Sequence, residues 1–440
     1  MGSPMDTDIG EAQPSYGDNA DSGAYCQRPF PQKGHTWEEI RQELVYSKRT
    51  DYNWKAGRVP IYVYYDDEEL LSVSREAYNL YFSENMLGRR AFPSLVKLEE
   101  DVIGATLSLF NAPTGAGGSF TSGGTESIFL AVKCARDRFR ALRGRSMRGS
   151  IVIPRTAHPA FDKAAHYLDV DVIRTSVTAD LRADVSDLAR AINASTILIA
   201  GSAPCYPYGV FDPISSLGEI AKSYDVWLHV DACLGGFLAP FAKAEGYPIP
   251  MFDFLVDGVW SLSADVHKYG FSAKGSSMLL YRSAQSQKHQ GFRFDDWPRG
   301  SYSTDTFLGS RSGGAIASAW AVIHYLGFAG YRRLAKKTMQ AKQRLMDGIE
   351  RIPGLKVVRP TELSILLYKS VDEAIDINAV AEELIGRGWF VGRSREPQAI
   401  HLALNAVHST VIESYLSDLR AAVALVKDSG RIAVFDTETY

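Results

Sequence analysis

The sequence predicts an α/β protein: a mostly parallel central sheet covered by helices on both faces, then a smaller α+β C-terminal domain. Three observations carry this. First, six short apolar or β-branched runs alternate with helical stretches: Ile151–Ile153, Val172–Ile173, Thr196–Ala200, Val226–Val230, Val259–Leu262 and Met278–Tyr281. Strand–helix–strand alternation is the signature of a parallel sheet buried on both faces. Second, the glycine turn Thr121-Ser122-Gly123-Gly124-Thr125-Glu126-Ser127 opens a helix. Third, Asp231 and Lys268 stand just past strand ends, where ligands collect in such sheets.

In chain order, residues 1–60 read as a mobile arm rich in Gly, Ser, Pro, Asp and Gln, followed by a leading helix. Trp37, Ile40, Leu44 and Val45 recur at helical spacing in that helix. Residues 61–326 form the large domain. It begins with helices near 69–82 and from Ser94, and Ile128, Val132, Ala135, Phe139 and Leu142 stripe one face of the helix after the glycine turn. Glu126 in the first turn of that helix and arginines near its end match the helix dipole. The stretches 161–168, 185–192 and 214–224 supply the crossover helices. From Gly327 the pattern changes to one long helix and then short strands and helices, which makes residues 327–440 the smaller domain.

The 440 residues carry 48 basic and 51 acidic side chains, a balance that offers no field for nucleic acid or an anionic membrane surface. No run of eighteen apolar residues exists, so no transmembrane anchor is expected. The four cysteines have neither metal-ligand nor CxxC spacing, which points to free thiols in a reducing compartment and to no metal site.

A glycine cradle at a helix start, a strand-end acid and a strand-end lysine, in that order, are what pyridoxal 5'-phosphate needs from a protein. Lys268 is the candidate Schiff-base lysine, and Asp231 the carboxylate that keeps a pyridine nitrogen protonated. Gly123, Gly124 and Thr125 offer N–H groups and a hydroxyl to the phosphate.

Five segments taken together, TSGGTES, AHPAFDKAAHY, HVDACLGGF, SADVHKYGFSAKGSS and GSRSGG, resemble the sphingosine-1-phosphate lyase family. That family is a branch of the pyridoxal phosphate-dependent decarboxylases with the aspartate-aminotransferase fold (fold type I). The resemblance runs from about Tyr62 to about Lys427. It implies that His158 stacks on the cofactor ring, that Ser263 and His267 add phosphate contacts, and that Lys274 lies near an anionic end of the substrate. It also implies that the loop carrying Gly313 and Gly314 reaches the cofactor of a neighbouring subunit, giving a homodimer with shared active sites. Because eukaryotic members carry a membrane anchor and none is legible here, a cytoplasmic member is expected.

Two positions depart from the family. Gly88 stands where many members have a histidine, followed by Arg89 and Arg90, and Tyr208 replaces the histidine of animal members. The expected reaction is retro-aldol cleavage of a small 2-amino-3-hydroxy substrate, with Tyr208 or Tyr206 exchanging the 3-hydroxyl proton. The alternative is an amino-acid decarboxylase or aldolase acting on a substrate without phosphate. With histidine absent at position 88, Arg89 or Arg90 together with Lys274 is expected to clamp the anionic end, and long-chain sphingosine phosphate is expected to be a poor substrate.

Overall fold

The computed structural model describes residues 27–144 and 147–434. They fall into two units, residues 1–53 and Trp54–Tyr440. In the first, helix α1 (Trp37–Ser47) starts at a capping box in which Thr36 and Glu39 satisfy each other's backbone N–H. Most of the N-terminal arm lies outside the described residues.

The second unit begins with helices α2 (Glu68–Leu80) and α3 (Pro93–Leu109), the latter opening on a proline, whose missing N–H costs a helix nothing in its first turn. Its main sheet has seven strands: β1 (Gly117–Thr121), β2 (Ser150–Pro154), β3 (Asp171–Thr175), β4 (Thr196–Ser202), β5 (Trp227–Asp231), β6 (Val259–Ala264) and β7 (Ser277–Tyr281). Their spatial order is β1-β7-β6-β5-β4-β2-β3. β7 pairs antiparallel with both β1 and β6, and the other pairs are parallel. β7 therefore runs against all the rest, and the carboxyl ends of the other strands share one edge. Every residue of β4, β5 and β7 is buried, as continuous apolar strands between two helical layers must be.

Helix α4 (Gly124–Arg143) follows β1 and packs across β7, β6 and β4. A two-stranded hairpin, β8 (Phe292–Phe294) with β9 (Tyr302–Thr304), precedes the long helix Gly313–Ile349, which Gly327 interrupts with a left-handed φ of 54°. A second, antiparallel sheet then forms from β10 (Leu355–Val357), β11 (Ile365–Ser370), β12 (Gly392–Arg395) and β13 (Gln398–Ala403), in the order β10-β11-β13-β12. Leu366, Tyr368, Ile400 and Leu402 from this sheet share a core with Leu345 and Ile349 of the long helix and with Leu416 and Leu419 of the C-terminal helix.

Candidate active site

Four of the strand ends and the helix after β1 converge on one cavity of about 460 Å³, within the usual size range for small-molecule sites. β1 delivers Ser122 to Glu126, β5 delivers Asp231, β6 delivers Asp265 through Lys268, and Pro204 and Tyr206 follow β4. Tyr64, His158 and Lys274 complete the wall, and Ala403 reaches it from β13.

The glycine turn is shaped by what surrounds it. Gly123 is fully extended and gives α4 no side-chain cap, so the first N–H groups of this twenty-residue helix point into the cavity region without an internal acceptor. A Cβ on Gly124 would lie 2.7 Å from Cys233 Sγ and 3.0 Å from both Asp265 carboxylate oxygens, so only glycine fits. Glu126, which the sequence suggests as a partner of the helix dipole, is buried. Its Oε2 accepts from Ser122 N at 2.7 Å and Ser122 Oγ at 2.6 Å, and its Oε1 accepts from Phe307 N at 2.8 Å. The turn is thus held from inside by a carboxylate.

Asp231 is 8% exposed. Its Oδ1 accepts from Cys233 N at 3.1 Å and from Ser263 Oγ at 3.4 Å, and Ser263 in turn lies 3.2 Å from His229 Nε2. Burial pushes the His229 imidazole down to about 4, so it is neutral and orients the serine pair Ser261 and Ser263 without adding charge. Ser263 is fully buried and is not among the residues lining the cavity, in contrast to the phosphate contact that the resemblance implies. The β5–β6 register sets it opposite Asp231, on the same face of the sheet, where its hydroxyl supports the acid.

Lys268 Nζ lies 2.9 Å from Asp265 Oδ2, and this carboxylate also stands 3.6 Å from His267 Nε2. Burial lowers a lysine, but the Asp265 charge outweighs it here and holds Lys268 above its ordinary value. For Asp265 burial acts upward, and the Lys268 and His267 charges prevail to hold it low. His267 Nδ1 and Asp265 Oδ1 have no well-formed hydrogen bond, with the Ser276 backbone and the Ser277 hydroxyl respectively their weaker neighbours. His158 accepts the Ala160 N–H on Nδ1 at 3.1 Å, and burial lowers its pKa, so a neutral ring with its proton on Nε2 faces the cavity. Lys274 donates to Tyr62 O at 2.8 Å and sits 5.3 Å from the Tyr64 ring centroid. Much of the residue is exposed, and partial burial of its ammonium together with the charge of Lys268 draws its pKa below the ordinary lysine value.

Other candidates lie elsewhere. Tyr206 lines the cavity, whereas the Tyr208 hydroxyl donates to Glu396 O at 2.6 Å, across the β12–β13 turn. Arg89 and Arg90 are not among the residues lining the cavity. Arg89 is drawn 3.6 Å from buried Glu99, which also pairs with Arg311. The expected clamp by Arg89 or Arg90 with Lys274 is therefore not assembled around this cavity. Gly313 and Gly314 are buried where the long helix begins, against Glu84 O and the Tyr78 ring respectively. Asp265 and the inward role of Glu126 were not anticipated from sequence. A carboxylate three residues before a strand-end lysine is the signal that could have found Asp265, because one turn brings i and i+3 together.

The cavity accepts pyridoxal phosphate on its own features: a helix start without a side-chain cap, the His267 imidazole beside it, and a buried acid and a half-buried lysine delivered by the neighbouring strands β5 and β6. Among the described residues no His, Cys, Asp and Glu cluster could hold a metal ion, and no helix is long and apolar enough to cross a membrane.

Comparison with known proteins agrees with this geometry. Residues 27–369 match the pyridoxal-dependent decarboxylase conserved domain. The chain is 39% identical over 397 residues to the sphingosine-1-phosphate lyase of Oryza sativa, covering 88% of this chain and 73% of that one. It is 40% identical to the Arabidopsis thaliana lyase over 88% of this chain and 72% of that one. The solved structure of a Burkholderia pseudomallei sphingosine-1-phosphate lyase superposes with a TM-score of 0.87 at 36% identity, covering 94% of this chain and 96% of that one.

Proposed function

The chain belongs to the pyridoxal-dependent decarboxylase family, among relatives that are sphingosine-1-phosphate lyases, and from that premise we propose that it cleaves the C2–C3 bond of a phosphorylated 2-amino-3-hydroxy sphingoid base to an aldehyde and a phosphorylated amine. It is a pyridoxal phosphate-dependent lyase. The observation that carries the reading is the meeting of Lys268, Asp231, His158, the open start of α4 and Lys274 in a single cavity. The decarboxylase alternative is not favoured, since relatives from plants, animals and fungi at 34–40% identity carry the lyase name.

When bound, pyridoxal phosphate supplies an electron sink for breaking a bond at the substrate's amine carbon. Lys268 would hold it covalently, and the N–H groups of Gly124 and Thr125 with His267 would hold its phosphate. Asp231, steadied by Cys233 N–H and the Ser263 hydroxyl, would keep the pyridine nitrogen protonated. The neutral face of His158 would lie against the ring. As C2–C3 breaks, the 3-hydroxyl must lose its proton, and Tyr206 is the sequence-predicted tyrosine positioned in the cavity to take it. C2 must then gain a proton, for which Lys268 is the nearby amine. Lys274 would face the substrate's phosphate.

We read residues 61–326 as the cofactor-binding domain and 327–440 as the smaller one. A homodimer is proposed as the working unit, with residues 309–314 of one subunit completing the other's phosphate site. The exposed aromatic surface just ahead of that loop, Phe292, Phe294, Trp297 and Phe307, supports an occluding partner there. Sedimentation of the active protein gives the state directly, and an active monomer would exclude it.

The function is tested by incubating the cofactor-loaded protein with sphingosine phosphate and measuring fatty aldehyde, with Lys268→Ala as control. Release by the wild type alone is expected. Carbon dioxide release from amino acids with no aldehyde from sphingosine phosphate would replace the lyase reading by the decarboxylase one.

A further inference from the structure

The carboxylate nearest Lys268 belongs to Asp265, a residue so far without a task. It lies one position past the end of β6, is 2% exposed, and rests against the first turn of α4. Its Oδ2 contacts Lys268 Nζ at 2.9 Å and stands 3.6 Å from His267 Nε2. A backbone bond from Lys268 N to Asp265 O, 3.3 Å, closes the turn that brings acid and lysine together. The pair is therefore built into the local chain rather than assembled by distant elements. Beyond Lys268 the carboxylate has only the Ser277 hydroxyl of β7 to lean on, and Oδ1 has no well-formed hydrogen bond, although a buried carboxylate is costly unless paired on every side.

We propose that Asp265 is a positioning residue that holds the Lys268 ammonium on the cavity wall before the cofactor arrives and turns to His267 once the lysine nitrogen is engaged. This rests on the reading of Lys268 as the cofactor lysine. The groups facing Asp265 are few: Lys268 and His267 from its own turn, the Cys233 thiol after β5 and the Ser277 hydroxyl of β7, with His158, Asp231 and Lys274 further along the wall. Only Lys268 meets it as a close full charge. An amine condenses with an aldehyde only after losing its ammonium proton, which goes to solvent, while the carbonyl oxygen leaves as water. The ion pair opposes that loss. With the lysine engaged, the His267 imidazole, whose Nε2 stands 3.6 Å from the carboxylate, takes its place beside Asp265. Loading of the cofactor should accordingly be slow at low pH and speed up as pH rises.

The test uses apoprotein. The rate of pyridoxal phosphate uptake is followed by its absorbance across a range of pH for the wild type and for Asp265→Asn, and binding of pyridoxamine phosphate, which cannot condense with lysine, is measured alongside. Removing the charge frees the lysine proton, so the Asp265→Asn uptake profile should move toward lower pH by about one unit or more. Pyridoxamine phosphate affinity should stay near that of the wild type. An unmoved profile overturns the proposal, as does an equal loss of affinity for both compounds, which would assign Asp265 to the phosphate. Thermal melting of the two apoproteins, repeated in a Lys268→Met background, separates positioning from simple structure. Asp265→Asn should lower the melting temperature only while Lys268 is present, and an equal fall in both backgrounds counts against the pair. Should Asp265→Asn not fold, Asp265→Glu is read in its place: a wild-type profile supports the charge, and the shifted profile refutes it. A wild-type protein that takes up no pyridoxal phosphate would instead fail the cofactor reading.

Discussion

Gly124→Ala tests the cradle with one methyl group. The added Cβ would meet Cys233 Sγ at 2.7 Å and both Asp265 oxygens at 3.0 Å, and all three atoms are buried. Relief requires a shift of the α4 start, a new Cys233 rotamer or displacement of Asp265 from Lys268. Overpacking of this kind costs about 1–3 kcal/mol. If the helix start yields, most of that appears as lost cofactor affinity, because the N–H groups that face the phosphate move with it. At about 1.4 kcal/mol per decade the loss is roughly 5- to 100-fold. The stiffer alanine backbone favours the folded apoprotein by up to about 1 kcal/mol, but that acts on folding and not on cofactor binding. The assay is titration of apoprotein with pyridoxal phosphate, by absorbance and by equilibrium dialysis. Cys233→Ala removes the closest clash, so the double variant should recover part of the loss. Wild-type affinity in Gly124→Ala, or no recovery on adding Cys233→Ala, would refute the steric argument.

Two further outcomes follow from the same site. Asp231→Asn should retain cofactor, because Cys233 N–H and Ser263 can still donate to an amide oxygen, yet lose about 1.5–3 kcal/mol of transition-state stabilisation, roughly ten- to a hundredfold in kcat; near-normal turnover would make it structural. Lys274, held below the ordinary lysine value, loses its charge earlier than a free lysine, so kcat/KM for a phosphorylated substrate should fall as pH rises into the alkaline range. Lys274→Arg should keep its activity to higher pH and Lys274→Met should lose the transition, whereas an unchanged profile in Lys274→Met would assign the fall to another group.

The parts of the site that sequence revealed are those fixed by local chain chemistry. Asp231 ends β5, Lys268 follows β6 within one turn, and the double glycine opens a helix, so their placement at one sheet edge follows from alternation alone. What escaped depends on contacts between distant segments. β1, Gly117-Gly118-Ser119-Phe120-Thr121, has two glycines and little β-branching, and it is a strand because β7 pairs with it. That Ser263 supports Asp231 shows only in the register with β5, which sets the two residues opposite each other. Nothing local reveals that Arg89 has Glu99, ten residues on and buried, as a partner. Tyr208 and Tyr206 are equivalent by eye, and only the distant turn at Glu396 separates them.

Glu126 spans two places at once. One oxygen fixes the Ser122 turn at the cavity, and the other takes the N–H of Phe307, whose ring lies on the exposed aromatic surface and 5.2 Å from Phe129. A partner settling on that surface would restrict Phe307 and, through one carboxylate, the floor of the cofactor cradle. Linkage makes such an effect reciprocal: what association does for cofactor affinity, the cofactor does for association, by the same factor. Dilution should then weaken cofactor retention, and stripping the cofactor should loosen the assembly.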